Sequence, residues 1–146
     1  MALRLERMVT LGLVVLFIVG GCGGDDGEKS ESVTLLAPPE NTCEDLRVTF
    51  QWRIEDRRDG VTYCSNVITD KGTNPFDGSA EEIFHAYQRT ELEVLLTATR
   101  YDPATFEWGV RVTACDAQGA SCPCQGRSFD STIRRLRTSS QAPNCP

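Results

Sequence analysis

The chain has 146 residues, seven cysteines and a formal net charge of −6. That length supports one domain with a real core and hardly two. The acidic balance argues against a nucleic-acid partner, since a phosphate backbone needs a basic stripe.

Read from the start, Arg4 and Arg7 precede an apolar run from Met8 to Val19, interrupted only by Thr10 and Gly12. The run is too short to cross a bilayer comfortably. A charged start, an apolar stretch and small residues at its end describe a secretory signal peptide. Val19-Gly20-Gly21-Cys22 resembles the lipobox of bacterial lipoproteins. That resemblance implies cleavage after residue 21 and acylation of Cys22, giving a signal peptide over 1–21. Loss of Arg4, Glu6 and Arg7 with it would bring the net charge to about −7. So acidic a chain does not adhere to anionic lipid by charge. The membrane contact is expected through the acyl chains, at roughly 0.8 kcal/mol per buried methylene. Gly23, not aspartate, follows Cys22. By the lipoprotein resemblance, this favours the outer membrane, with the domain in the bacterial envelope.

Residues 22–32 are expected to form a flexible tether, because Gly23 to Ser32 contains no apolar side chain to bury. A domain over 33–146 follows. Val33 to Leu36 opens it as a short strand candidate. Leu46, Val48, Phe50, Trp52 and Ile54 then alternate with polar residues, the period of a strand with one buried face. Val61 to Thr69 and Glu91 to Thr97 are further candidates. Ser79 to Gln88 fits a helix as well as a strand. Phe106, Trp108, Val110, Val112 and Ala114 repeat the alternation, and Arg127 to Thr138 closes the series. Asp59-Gly60, Asp77-Gly78, Asp102-Pro103 and Gln118-Gly119 supply turns. Short strands and polar turns predict an all-β antiparallel sandwich with Trp52, Trp108, Phe50, Phe106, Val110 and Val112 in its core.

Leu36-Ala37-Pro38-Pro39 followed by Val48-Thr49-Phe50-Gln51-Trp52 resembles the opening of a fibronectin type III domain. Pro103-Ala104-Thr105-Phe106-Glu107-Trp108-Gly109-Val110 is similar to that family's P-G-T-Y-x-W-x-V run. The likeness spans about residues 33 to 140 and implies an immunoglobulin-like sandwich of about seven strands. Phe106 stands in place of the family's tyrosine, and six cysteines are foreign to a typical member.

With Cys22 assigned to lipid, an even set of cysteines in an exported chain reads as three disulfides. The family's topology implies Cys43–Cys145 at one pole and Cys64, Cys115, Cys122 and Cys124 at the other. Cys64 and Cys115 are expected to face outward from the sheet. Among those four, Cys64–Cys122 with Cys115–Cys124 is favoured. Cys64–Cys115 stays open only if a strained Cys122–Cys124 ring forms.

No catalytic constellation is evident. His85 is the only histidine and has Ile83, Phe84, Ala86 and Tyr87 around it, as a packed or rim residue would. No G-x-S-x-G, H-E-x-x-H or phosphate-binding glycine loop occurs. Cys122-Pro123-Cys124 lacks zinc-motif spacing. Asp70 to Glu81 places Pro75 and Gly72 where a calcium loop needs a glycine and a carboxylate. No metal or cofactor is therefore expected. Arg135 and Arg137 read as guards on an exposed edge strand. The expected function is non-enzymatic: a lipid-anchored recognition or structural module that meets an unidentified protein or glycan through its loops. The alternative is a protease inhibitor presenting the loop from Asp116 to Gly126.

Overall fold

The computed structural model describes residues 30–72, 74–117 and 119–146. In chain order the elements are β1 (Ser32–Ala37), β2 (Cys43–Glu44), β3 (Arg47–Glu55), β4 (Thr62–Asp70), β5 (Glu82–Tyr87) and β6 (Glu91–Leu95). There follow α1 (Ala98–Tyr101), β7 (Ala104–Cys115), β8 (Arg127–Asp130) and β9 (Arg134–Thr138). One sheet has the order β1-β3-β6, and the other has β2-β9-β7-β4-β5 with β8 also on β7. Among the described residues no helix is long and apolar enough to cross a membrane.

The two sheets share one core. Val33, Leu35, Val48, Phe50, Trp52, Ile54 and Val94 come from the first; Tyr63, Val67, Phe106, Trp108, Val110, Val112, Ala114 and Leu136 come from the second. Alternation sends every second residue of β3 and β7 inward. Phe50 meets Trp108 across the gap, ring centroids 4.8 Å apart. Strand β4 pairs with β7 from Thr62↔Cys115 to Asp70↔Glu107 and with β5 on its other edge. It is buried on both faces for most of its length. Phe76 folds over the outer face beside Gly109, where an added Cβ would collide with the ring.

Several expectations change. Nine strands are found among the described residues instead of about seven. The run from Arg127 to Thr138 is two strands, because β7 takes β8 along residues 111–114 and β9 along 104–108. Ser131 bridges the break. Its backbone N–H donates to the Val110 carbonyl (2.9 Å), and its hydroxyl accepts from the Val110 N–H (2.9 Å). The pairing is not wholly antiparallel, since β2 runs parallel to β9. Strand β9 is therefore flanked on both sides. Arg135 pairs with Glu107 at 2.9 Å, while Arg137 donates to the Asn41 carbonyl (3.3 Å), so neither guards an open edge. The ambiguous stretch from Ser79 to Gln88 holds strand β5.

Strand β1 begins at Ser32, and the Glu31 side chain is only 1% exposed. Burying a carboxylate requires partners. Glu31 has the Arg58 guanidinium at 3.1 Å, the Tyr63 hydroxyl and Arg127.

Candidate functional site

Strands β1, β4 and β8 start, and β3 and β7 end, at one pole of the sandwich. There the structure gathers four cysteines. Cys64 on β4 is bonded to Cys122, and Cys115 at the end of β7 is bonded to Cys124, with Cα–Cα separations of 5.7 and 6.2 Å. At the opposite pole Cys43, on β2, is bonded to Cys145 with a Cα–Cα separation of 5.7 Å.

Cys64 and Cys115 point away from the core, as their phase in the strands requires. They are nevertheless only 5% and 2% exposed, because the loop of residues 116–126 lies over them. Cys122 and Cys124, on that loop, are half-buried. The two disulfides touch: the Cys64 and Cys124 sulfurs are 3.3 Å apart, and the Cys64, Cys115 and Cys124 sulfurs all lie within 4.8 Å of one another. Every one of these sulfurs is in a disulfide, so the group offers no thiolate to a metal as it stands.

Backbone and side-chain contacts hold the loop against the sheet. Arg58 reaches Asp116 at 2.9 Å, the Thr62 hydroxyl donates to the Ala117 carbonyl (3.1 Å), and the Gln88 amide donates to the Ala120 carbonyl (3.3 Å). At its far end Gly126 lies so close to β7 that an added Cβ would stand 2.8 Å from the Ala114 carbonyl carbon.

Beside the loop is an open cleft of about 470 Å³ lined by Tyr87, Gln88, Arg89 and Cys122. A notch of about 40 Å³ shares Tyr87 and Cys122 with it and includes Asn66, His85, Pro123 and Cys124. His85 is exposed on this rim. Its Nδ1 donates to the Asn66 side-chain oxygen at 2.7 Å, and its ring stacks on Tyr87 with centroids 5.9 Å apart. Tyr87 is 52% exposed, a large aromatic surface next to a disulfide.

The sequence-derived core residues Trp52, Trp108, Phe50, Phe106, Val110 and Val112 are all buried between the sheets. Cys22 and the lipobox-like stretch lie outside the described residues. The candidate calcium loop is occupied by its own contacts: Asp70 accepts from the Gly72 N–H (2.7 Å) and the Ser79 hydroxyl (3.2 Å).

Two polar clusters were not anticipated from the sequence. Glu31 is one, although it shares the phase of Val33 and Leu35 and so was bound to point inward once β1 formed. Tyr101 is the other. Its hydroxyl hydrogen-bonds Thr69 (2.9 Å) and donates to Glu82 (3.0 Å). Burial pushes that hydroxyl up to about 12, with the adjacent Glu82 adding to the effect and the Thr69 hydrogen bond opposing it. Nothing in the short A-T-R-Y segment signals this. No family model matches the chain, and neither does any curated protein.

Proposed function

We propose that this is a non-enzymatic, lipid-anchored protein of the bacterial envelope. Its fibronectin type III-like domain recognises a protein or glycan through the four-cysteine pole. Acylation at Cys22 is supported by the small-residue pair and cysteine at the end of the apolar run. The family likeness is supported by the sheet orders β1-β3-β6 and β9-β7-β4-β5, with Trp52 and Trp108 on facing sheets. The observation that carries recognition is the cleft beside Tyr87 and Cys122, walled by a loop that two disulfides fasten to β4 and β7. Such a loop loses little freedom on binding. An outer-membrane position follows from Gly23 after Cys22 in the lipoprotein reading.

The anchor is tested by Cys22→Ser. The variant is expected to leave the membrane fraction or to retain its precursor mass, and wild-type maturation and fractionation would refute the anchor. Recognition is tested by cross-linking in whole cells with and without Tyr87→Ala. The aromatic truncation is expected to abolish the partner band while the domain keeps its circular dichroism. The same fastened loop keeps the inhibitor reading in second place. Dose-dependent inhibition of a protease by the full chain, lost when Ala120 and Ser121 are replaced by glycine, would move it to first.

A further inference from the structure

We infer that the four-cysteine pole captures a thiol-bearing polypeptide covalently, through a two-step disulfide relay that begins at Cys122. This deepens the reading of that pole as a contact surface and rests on it. It also selects a protein over a glycan as the partner, because a glycan carries no thiol.

Three observations combine. Cys122 is half-buried and lines both parts of the cleft, whereas Cys64 and Cys124 line only the small notch, so Cys122 is the cysteine that the larger opening presents. Its bonded partner Cys64 is buried on a strand. Within 3.3 Å of Cys64 lies a second disulfide, at Cys124, whose other half is the still more buried Cys115.

A lone surface disulfide makes a poor trap. A thiolate that opens it leaves a second thiolate beside the mixed disulfide, free to attack back and expel the newcomer. Here the displaced group has another course. The partner's thiolate attacks the Cys122 sulfur, the Cys64–Cys122 bond breaks, and its electron pair leaves on Cys64 as a thiolate. That thiolate attacks Cys124. A Cys64–Cys124 bond forms, the Cys115–Cys124 bond breaks, and the electron pair passes to Cys115. Cys115 takes up the proton that the partner's thiol gave to solvent, and the Thr113 carbonyl stands 3.9 Å away to accept its S–H. Two disulfides and one thiol enter, and two disulfides and one thiol leave, with no external oxidant or reductant. The free thiol has moved from the exposed partner to a position 2% exposed, where a cysteine is chemically quiet. Reversal must restart from that buried group.

Reduced glutathione serves as the probe. The full chain, purified in detergent without reductant, is incubated with it near neutral pH, quenched with acid, denatured, blocked with a maleimide and mapped without reduction. The expected product carries glutathione on Cys122, a Cys64–Cys124 bridge, the maleimide on Cys115 and an intact Cys43–Cys145 bridge. Glutathione on another cysteine, no adduct, or a glutathionylated Cys122 with Cys64 alkylated would each overturn the relay. In a Cys115→Ser, Cys124→Ser double variant the displaced Cys64 thiolate has no acceptor, so the adduct should be lost. An adduct that persists there as in the wild type also refutes the inference. Should that variant fail to fold, the wild-type map decides alone. The membrane fractionation and the Tyr87→Ala cross-linking do not depend on this result, so a failed relay leaves the recognition reading standing.

Discussion

Two tryptophans divide the core between them with different chemistry. Trp52 donates its indole N–H to the Ser65 hydroxyl at 3.2 Å. Trp108 is fully buried and packs on Phe50, and its N–H has no hydrogen-bond partner among the described residues. Trp108 is therefore held by apolar contact. Trp108→Ala should cost about 3–5 kcal/mol, a large share of the ~5–15 kcal/mol that keeps a domain folded. Urea unfolding measures it, and an unchanged midpoint would contradict the core described here. Trp52→Phe, which keeps most of the volume and loses the hydrogen bond, should cost much less. Tyr101 offers a test by pH. Its hydroxyl is raised to about 12 in the folded chain, against about 10 when unfolded. The folded state therefore favours the neutral phenol. This contribution is complete below about pH 10 and is lost as pH rises through about 12. The denaturation midpoint should fall over that interval more steeply in the wild type than in Tyr101→Phe.

Legibility at the level of elements followed how one-sided each strand is. Strand β3 alternates in burial because one face meets the core; β7 is buried on both faces over residues 106–110, yet its large apolar residues still fall on alternate positions, and the runs from Leu46 and from Phe106 gave the two strands away. Strand β5 alternates in burial, but its exposed residues include the large apolar Ile83 and Tyr87 while the small Ala86 is buried, so hydrophobicity along the sequence did not separate strand from helix. Helix α1 is a single turn whose first residue has no side-chain cap, below what periodicity can detect. The division of 127–138 into β8 and β9 depends on the length of β7, a partner distant in sequence, and no local pattern could reveal it. The cysteine-bearing site was legible as an even set of cysteines once Cys22 is set aside. The cleft was not, since Tyr87 and Cys122 are brought together only by the sheet and the returning loop. That loop can be tested at its hinge with the sheet. Gly126→Ala sets a Cβ against the backbone of Ala114, which cannot step aside. Overpacking of this kind costs typically about 1–3 kcal/mol. A lowered melting temperature and faster amide exchange over 116–126 are expected, and a variant as stable as wild type would show the approach to be looser. Glu31→Ala tests the other end of the same pole. It strips Tyr63, Arg58 and Arg127 of a shared acceptor, which should cost about 1–3 kcal/mol in thermal or denaturant melts.

Across the whole molecule, the first strand begins at the four-cysteine pole, while the last residues lie at the other, beside Cys43. If Cys22 is acylated, the lipid-bearing segment joins the domain at the pole that carries the cleft, so a partner would be met on the membrane-facing side. Lengthening the segment between Cys22 and Ser30 with glycine and serine should change access of that pole to bulky labels and leave Cys145 unaffected. The distal bridge closes the longest loop of the three. Cys43 and Cys145 are 102 residues apart, and Cys43→Ser with Cys145→Ser should lower stability by about 2–5 kcal/mol, read from denaturant midpoints. The same bond has a further consequence under proteolysis. It closes nearly the whole domain into a covalent ring. A single cut in an exposed turn between Cys43 and Cys145, such as Asp56 to Gly60, opens the ring without releasing a fragment. Nicked molecules would run as one band until reduced, with the cleft still whole. A cut that would shed part of an unbridged domain would leave this one in a single piece.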